Sequence, residues 1–169
     1  VLKLWQGLGY YSRARNLHHT AKFIANELNG VFPSDYNHIL NLKGVGEYTA
    51  AAIASFSFQQ AYPVIDGNVY RVLSRVFGVE KAIDSSEGKK EFKKLAKELL
   101  DIKNPDTYNQ AIMEFGALQC KPKNPNCSIC SFRLECYAFQ KNKITELPRK
   151  DKKTKQRNRY FNYLVIIND

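Results

Sequence analysis

The spacing of apolar side chains predicts helices along most of the first 119 residues. Leu, Ile, Val, Phe and Ala recur three or four positions apart, which places them on one side of a helix and polar residues on the other. Residues 2–5 have the pattern of a helix tail, which glycines then end. Complete helices are predicted over residues 12–28, 35–42, 48–56, 69–77, 86–100 and 108–119.

The first and last of these helices have apolar stripes that predict which positions are buried. These positions are Leu17, Ala21, Ile24 and Leu28 in the first helix and Ala111, Ile112, Phe115 and Leu118 in the last. Helix 86–100 carries Glu and Lys residues on its polar face and apolar residues on the other. A purely structural role is therefore expected for helix 86–100.

The pattern changes twice towards the C-terminus. Residues 138–159 are polar and basic without apolar periodicity, which predicts a linker. Residues 160–167 are mostly aromatic and β-branched, which predicts a β-strand. The predicted fold class is all-α, followed by a linker and by one strand of a further domain that the chain does not contain.

Two glycines define a tight turn between the second and third helices, within residues 42–49 (Leu-Lys-Gly-Val-Gly-Glu-Tyr-Thr). This is a helix-hairpin-helix pattern. The free amides at the start of the third helix, with the positive end of its dipole, can approach a phosphate group closely at Gly44, Val45 and Gly46. A plain corner between two helices is the alternative interpretation.

An aspartate, Asp66, follows an apolar run and precedes the fourth helix. Asp is among the best N-cap residues, so a structural role alone would explain it. A carboxylate between two helical segments is also placed to act on a ligand in the cleft between them. The sequence leaves both roles open.

All four cysteines of the chain, Cys120, Cys127, Cys130 and Cys136, lie in one short loop. Their spacing, without a histidine among them, predicts one metal centre with four thiolate ligands. A single Cys-x2-Cys pair flanked by single cysteines favours an iron-sulfur cluster over structural zinc, which usually has two such pairs. Two disulfides would need an oxidising compartment, and the first residues do not have the pattern of a secretory signal.

The charge balance favours a polyanionic partner. The 169 residues include 26 Lys and Arg against 16 Asp and Glu, a formal net charge of +10. No apolar run approaches the length of a membrane span, so nucleic acid is a better partner for this charge than a membrane.

The hairpin, the turn at residues 66–69 and the four-cysteine loop occur in an order that resembles the helix-hairpin-helix DNA glycosylases with an iron-sulfur cluster. The resemblance covers residues 1–137. It implies part of a six-helix barrel domain at residues 1–60, a domain with a 4Fe-4S cluster at 61–137, and a Nudix-like domain that begins at 160–169. It also implies a monomer in the bacterial cytoplasm, associated with the nucleoid.

Two tyrosines indicate the adenine glycosylase branch of this family. Relatives of the endonuclease III type carry at position 48 a lysine that forms a Schiff base with the sugar, and Tyr48 cannot form one. The segment around Tyr10 is similar to the one that probes the duplex beside oxidised guanine in adenine glycosylases. The implied partner is double-stranded DNA with adenine opposite 8-oxoguanine or guanine, and the implied reaction is excision of that adenine after extrusion.

The resemblance also implies a role for each site residue. Asp66 would stabilise the positive charge that develops on the sugar, Tyr48 would hydrogen-bond to this carboxylate, and Asn68 would fix the turn. The general acid of the family is a glutamate before the segment where this chain starts, so residues 1–169 alone are expected not to excise adenine. DNA contacts are expected from Tyr10, Arg13, Arg15, Lys43, Gly44, Val45, Gly46, Lys121 and Lys123.

Hairpins of this type also often hold a monovalent cation near the carbonyl groups of Leu42 and Val45.

Three other functions remain open. A glycosylase and lyase of the endonuclease III type would form a stable crosslink with abasic DNA under borohydride. A non-catalytic DNA-binding module would contain zinc and show no base discrimination, and a purely structural helical protein would not bind duplex DNA tightly at low salt.

Overall fold

The computed structural model describes residues 1–151 and 159–164. The helices within these residues are α1 (Tyr11–Glu27), α2 (Tyr36–Leu40), α3 (Glu47–Phe58), α4 (Gly67–Phe77), α5 (Ser86–Leu99), α6 (Pro105–Leu118) and α7 (Tyr137–Gln140). A short 3-10 turn at Cys127–Ile129 lies between α6 and α7. None of the helices in this part of the chain is long and apolar enough to cross a membrane.

Short polar side chains fix where three of the helices begin. Asp35, Ser85 and Asp66 accept hydrogen bonds from amides in the first turns of α2, α5 and α4, respectively. Such caps satisfy amides that have no partner within the helix. The six predicted helices therefore begin and end within a few residues of the observed bounds.

The apolar core consists of two main clusters. The first joins α2 to α3 through Ile39, Ala50 and Ala54, and its small residues allow the two helices of the hairpin to approach closely. The second joins α4 to α5 and contains Val69, Leu73, Val79, Phe92 and Ala96. A smaller cluster of Cys136, Ala138 and Leu147 attaches the segment after the cysteine loop.

Helix α6 packs against α4 through a glycine. Gly116 is buried, and a Cβ atom built on it would lie only 2.7 Å from Cβ of Asn68. The predicted apolar stripe is therefore only partly right: Ile112 and Phe115 are half-buried, whereas Ala111 and Leu118 are exposed. The contact requires a small residue, and the larger apolar residues lie beside it.

A buried asparagine connects α6 to α3 and to the segment before Asp66. Asn109 is 1% exposed. Its Oδ1 accepts a hydrogen bond from the N–H of Val64, and its Nδ2 donates to Oγ of Ser55 and to the carbonyl oxygen of Tyr62. These three bonds hold the extended segment 62–64 against both helices.

The predicted apolar stripe of α1 is also only partly right. Ile24 and Leu28 are half-buried, but Leu17 and Ala21 are exposed. The buried residues are Ala14 and Thr20. Within the described residues α1 contacts the hairpin through polar atoms, since Thr20 Oγ1 donates a 2.9 Å hydrogen bond to the carbonyl oxygen of Lys43. The small and polar face of α1 is therefore turned inward here.

The two ends of the chain differ from the sequence-based expectation. Residues 2–5 form successive turns and no helix, and the backbone then enters positive φ at Gly7 and Gly9, which a helix cannot continue through. Residues 160–164 form no strand, because no second strand pairs with them in the part of the chain that is described. The rest of the predicted strand and linker residues 152–158 lie outside the described residues.

Candidate active site and cysteine loop

Asp66 is at once the cap of α4 and the partner of a side chain in the same turn. Its Oδ1 accepts a 2.8 Å hydrogen bond from the N–H of Val69, and its Oδ2 accepts a 2.9 Å bond from Nδ2 of Asn68. The residue is half-buried. Two donors thus fix the orientation of a carboxylate that still has access to solvent.

Tyr48 stands in the first turn of α3 and is 50% exposed. Within the described residues the hydrogen-bond partners of the Asp66 carboxylate are Asn68 and Val69, so the expected bond from Tyr48 is not formed in this arrangement. The ring of Tyr48 lines a cleft between α3 and α5. Position 48 therefore carries an accessible phenol in place of an amine.

The second residue of the turn, Asn68, connects Asp66 to a buried arginine. Asn68 Oδ1 accepts a 2.7 Å hydrogen bond from Nη2 of Arg71, which also donates to the carbonyl oxygen of Gly116. Nε of Arg71 donates a 2.7 Å bond to the carbonyl oxygen of Cys120. An unbroken series of side-chain hydrogen bonds thus runs from Asp66 to the first cysteine.

Burial lowers the pKa of Arg71 from its usual value, but a guanidinium remains charged in proteins. The cost of burying this charge is offset by hydrogen bonds to carbonyl oxygens, whose partial negative charge faces the cation. Every buried side-chain nitrogen and oxygen among the described residues has a hydrogen-bond partner. The arginine is therefore a structural connection that stays fully satisfied.

A second buried arginine, Arg75, lies one turn further along α4. Its guanidinium donates to the carbonyl oxygens of Lys121, Pro122 and Leu147. Nη1 also lies 3.6 Å from Sγ of Cys120. Arg75 therefore joins α4 to the start of the cysteine loop and to the segment that follows α7.

The four cysteines are free thiols on three different local structures. Cys120 follows α6. Cys127 is the first residue of the 3-10 turn and Cys130 directly follows that turn. Cys136 precedes α7 and donates from Sγ to the carbonyl oxygen of Arg75. Burial raises the pKa of the Cys127 thiol, and the three other thiols raise it further, because their charges are close enough to act on it. Burial also raises the pKa of Cys136.

The four thiols lie near each other, but they do not surround a single site of the size of one metal ion. Four thiolates about 2.3 Å from a tetrahedral zinc would stand about 3.8 Å apart. Within residues 1–151 and 159–164, no three Cys, His, Asp or Glu side chains are gathered tightly enough to hold a metal ion. The donor set is all sulfur and contains no oxygen or nitrogen ligand.

The hairpin has the sharp turn that its glycines predict. Gly44 has a φ of 86°, and a Cβ atom there would lie 2.5 Å from Cβ of Asn16 on α1. Gly46 caps α3 without a side-chain hydrogen bond, so the first amides of α3 are free to bind a ligand. The carbonyl oxygen of Leu42 accepts a hydrogen bond from Val45.

The segment before α1 presents an aromatic ring to solvent. Tyr10 is 82% exposed and has a φ of 46°, in the left-handed region that is unfavourable for a tyrosine. The guanidinium of Arg13 lies 5.8 Å from the centre of the Tyr10 ring and 5.4 Å from that of Trp5. Arg15, Lys43, Lys121 and Lys123 are all exposed, as phosphate contacts require.

The chain as a whole can now be compared with known proteins. A family described as HhH-GPD superfamily base excision DNA repair protein matches residues 1–99. The chain belongs to this superfamily. The hairpin at residues 42–49, Asp66 and α4 all lie within the matched range.

The chain is similar to several adenine DNA glycosylases and to the solved structure of another glycosylase. The chain is 37% identical over 153 residues to an adenine DNA glycosylase of Buchnera aphidicola, covering 90% of this chain and 44% of that protein. It is 44% identical over 142 residues to the adenine DNA glycosylase of Homo sapiens, covering 83% of this chain and 26% of that protein. The structure of a thermostable thymine-DNA glycosylase superposes with a TM-score of 0.70 at 31% identity, covering 76% of this chain and 59% of that one. The chain thus spans less than half the length of these adenine glycosylases.

The two buried arginines are the part of the site that sequence reasoning did not find. Arg71 and Arg75 lie four residues apart in an otherwise mostly apolar helix, so both fall on one face. Charged residues are rarely buried unless they are paired. The presence of two arginines on the apolar side of one helix was the sequence signal that both side chains are buried and paired.

Proposed function

We propose that this chain is the part of an adenine-specific DNA glycosylase that carries Asp66, the hairpin and the cysteine loop. The substrate is double-stranded DNA with adenine opposite 8-oxoguanine or guanine. The observation that carries the proposal is a carboxylate oriented by Asn68 and Val69, with a tyrosine at position 48 where a lyase would need an amine. Similarity to adenine DNA glycosylases of two organisms supports the choice of base.

In this proposal the bond between the sugar C1′ and the adenine nitrogen breaks with its electron pair leaving on the base. An acid protonates the base, and the sugar develops positive charge as in other glycoside hydrolyses. Asp66 stabilises that charge and orients the water whose oxygen bonds to C1′, while Asn68 holds the carboxylate in place. Tyr48 packs at the edge of the site.

The DNA is held mainly through its phosphates. The free amides at the start of α3, after Gly44, Val45 and Gly46, donate hydrogen bonds to one phosphate. A monovalent cation on the carbonyl groups of Leu42 and Val45 would add to the attraction for this phosphate. The exposed cations Arg13, Arg15, Lys43, Lys121 and Lys123 supply sequence-independent affinity. Tyr10, held out from the surface in its strained turn, inserts into the base stack and offsets the cost of extrusion.

The cysteine loop fits a 4Fe-4S cluster better than zinc. The all-sulfur donor set and the single Cys-x2-Cys pair suit a cluster. The residues that would hold it are Cys120, Cys127, Cys130 and Cys136. When bound, the group would supply a rigid frame for the loop. Arg71 connects Cys120 to Asn68 in the turn at Asp66, and Arg75 holds the start of the loop against α4.

The proposed organisation assigns residues 1–60 to a six-helix barrel domain, 61–137 to the cluster domain, 138–159 to a linker and 160–169 to a Nudix-like domain. The first part of the predicted linker packs against the cluster domain, since Ala138 and Leu147 are buried there. The separate cores of the hairpin and of α4 with α5 support the first boundary.

A single-turnover excision assay on the full-length protein tests the function. We expect release of adenine from duplexes with adenine opposite 8-oxoguanine or guanine, and no release of thymine opposite guanine. Asp66→Asn should slow the reaction by about 100-fold or more, since it removes the charge that stabilises the sugar cation. A borohydride crosslink to abasic DNA, or equal excision of thymine, would contradict the proposal.

Elemental analysis tests the cofactor separately. We expect iron and acid-labile sulfide in similar amounts and a brown protein, and their loss when Cys127 is replaced by Ser. Zinc in a colourless protein would instead favour the non-catalytic DNA-binding module.

A further inference from the structure

A cleft of about 490 Å³ opens beside Tyr48, between α3, α4 and α5, and none of the roles described above uses it. One wall is formed by Lys89, Lys90 and Lys93 on α5. The opposite wall is the first turn of α3, which follows the hairpin. The cleft is therefore continuous with the surface that is proposed to bind DNA.

The charges on α5 are separated between its two sides. Glu87 and Glu91 pair with Lys81, and Glu98 pairs with Lys94, so these carboxylates are engaged away from the cleft. Lys89 and Lys90 carry no ion pair within the described residues, and both are exposed.

One carboxylate, that of Glu47, lines the cleft. It lies 3.5 Å from Nζ of Lys93, and both side chains are well exposed, so the pair is weak. Three lysines against one glutamate leave the cleft with an excess of two positive charges. Such a cleft attracts anions more strongly than scattered surface lysines do.

Tyrosine rings form the remaining wall and are held in fixed positions. Tyr36 and Tyr62 stack with their ring centres 4.1 Å apart, and Tyr70 packs edge-on against Phe92 at 5.0 Å. Burial raises the pKa of both Tyr36 and Tyr70, so their hydroxyl groups stay protonated and can donate hydrogen bonds. Fixed aromatic faces beside lysines are the combination that binds nucleotides, because rings stack on bases and cations bind phosphates.

We propose that this cleft binds the sugar-phosphate backbone of one DNA strand next to Asp66, with Lys89 and Lys90 as the phosphate ligands. Helix α5 then has a binding role in addition to the structural role that its pattern predicts. The inference rests on the proposed DNA glycosylase function and deepens it. It extends the DNA interface from the hairpin across Tyr48 to α5.

Two double variants of the same helix test the proposal in the full-length protein. Lys89→Gln with Lys90→Gln removes two charges from the cleft, whereas Lys94→Gln with Lys97→Gln removes two charges from outside it. Binding of a fluorescent undamaged duplex is measured by anisotropy between about 50 and 200 mM salt. The slope of log affinity against log salt is negative, and each lost phosphate contact should reduce its magnitude by about 0.9.

We expect the magnitude of the slope to decrease by about 1 to 2 in the cleft variant. In the control variant the slope should equal that of the unchanged protein within error. Circular dichroism should show both folded as the unchanged chain, because all four lysines are exposed. Equal slopes in the two variants would overturn the α5 site but would leave the proposed glycosylase function standing. Failure of the unchanged full-length protein to bind any duplex would contradict the proposed function itself.

Discussion

Arg71 donates a 2.7 Å hydrogen bond to the carbonyl oxygen of Cys120, and thereby joins the cysteine loop to the turn that carries Asp66. The same guanidinium donates to Asn68, which holds the Asp66 carboxylate. Two regions 54 residues apart in sequence, at positions 66 and 120, are thus part of one hydrogen-bond network. A change in either region should be detectable in the other.

Arg71→Met should destabilise the chain by about 2–4 kcal/mol, because it leaves several buried acceptors without a donor. Urea unfolding measures this change. The matched control is Arg133→Met, since Arg133 is exposed and only stacks on Phe139. The control should cost under about 1 kcal/mol. Equal losses in the two variants would contradict a structural network around Arg71.

The two roles of Asp66 can be separated by two substitutions. Asn can keep the cap on the N–H of Val69, but its Nδ2 cannot accept the bond from Asn68, so Asp66→Asn should cost about 1 kcal/mol. Asp66→Ala loses both bonds and should cost about 2 kcal/mol. In the full-length protein both variants should lose adenine excision. Urea unfolding and single-turnover excision measure the two effects independently. An Asp66→Asn variant that keeps its activity would show that Asp66 is only a cap.

The parts of the structure that could be predicted from the sequence are those fixed by local chemistry. Helix bounds follow from apolar spacing and from caps such as Asp35 and Asp66, and the hairpin follows from Gly44 and Gly46. The buried faces of α1 and α6 could not be predicted in the same way. Which face is buried depends on the neighbouring helix, and in both cases the contact is made by small or polar residues. The roles of Arg71 and Arg75 likewise depend on carbonyl groups more than 40 residues away.

Gly116→Ala should destabilise the contact between α4 and α6. The new methyl group would lie 2.7 Å from Cβ and 3.0 Å from the backbone oxygen of Asn68, and a backbone atom cannot move aside cheaply. We expect a loss of about 1–3 kcal/mol in urea unfolding. Gly67→Ala is the matched control, because no atom lies within 4 Å of its added Cβ. A neutral Gly116→Ala variant would show that α6 can shift without cost, and that Asn68 is not held by close packing.

The segment after the cysteine loop should make a pH-dependent contribution to stability through Glu80. Hydrogen bonds from Lys143 and Tyr137 hold the pKa of Glu80 below its usual value, and the bond to Glu80 raises the pKa of Lys143. A lowered carboxyl pKa stabilises the fold above its unfolded value of about 4.3, and this contribution is lost as pH falls through the folded pKa. A raised lysine pKa stabilises the fold below about 10.4, and this contribution is lost as pH rises through the folded pKa.

The stabilisation from this pair is therefore greatest between about pH 5 and pH 10. Glu80→Gln should destabilise the chain at about pH 7, and the difference from the unchanged chain should shrink towards zero as pH falls through the folded pKa of Glu80, below which Glu80 is itself neutral. Urea unfolding over this range measures it, with Glu98→Gln as the control, because Glu98 forms only an exposed pair with Lys94. A constant difference at all pH values would mean that Glu80 acts through packing and not through its charge. The segment that places Leu147 against Arg75 would then be held by the apolar cluster around Ala138 alone.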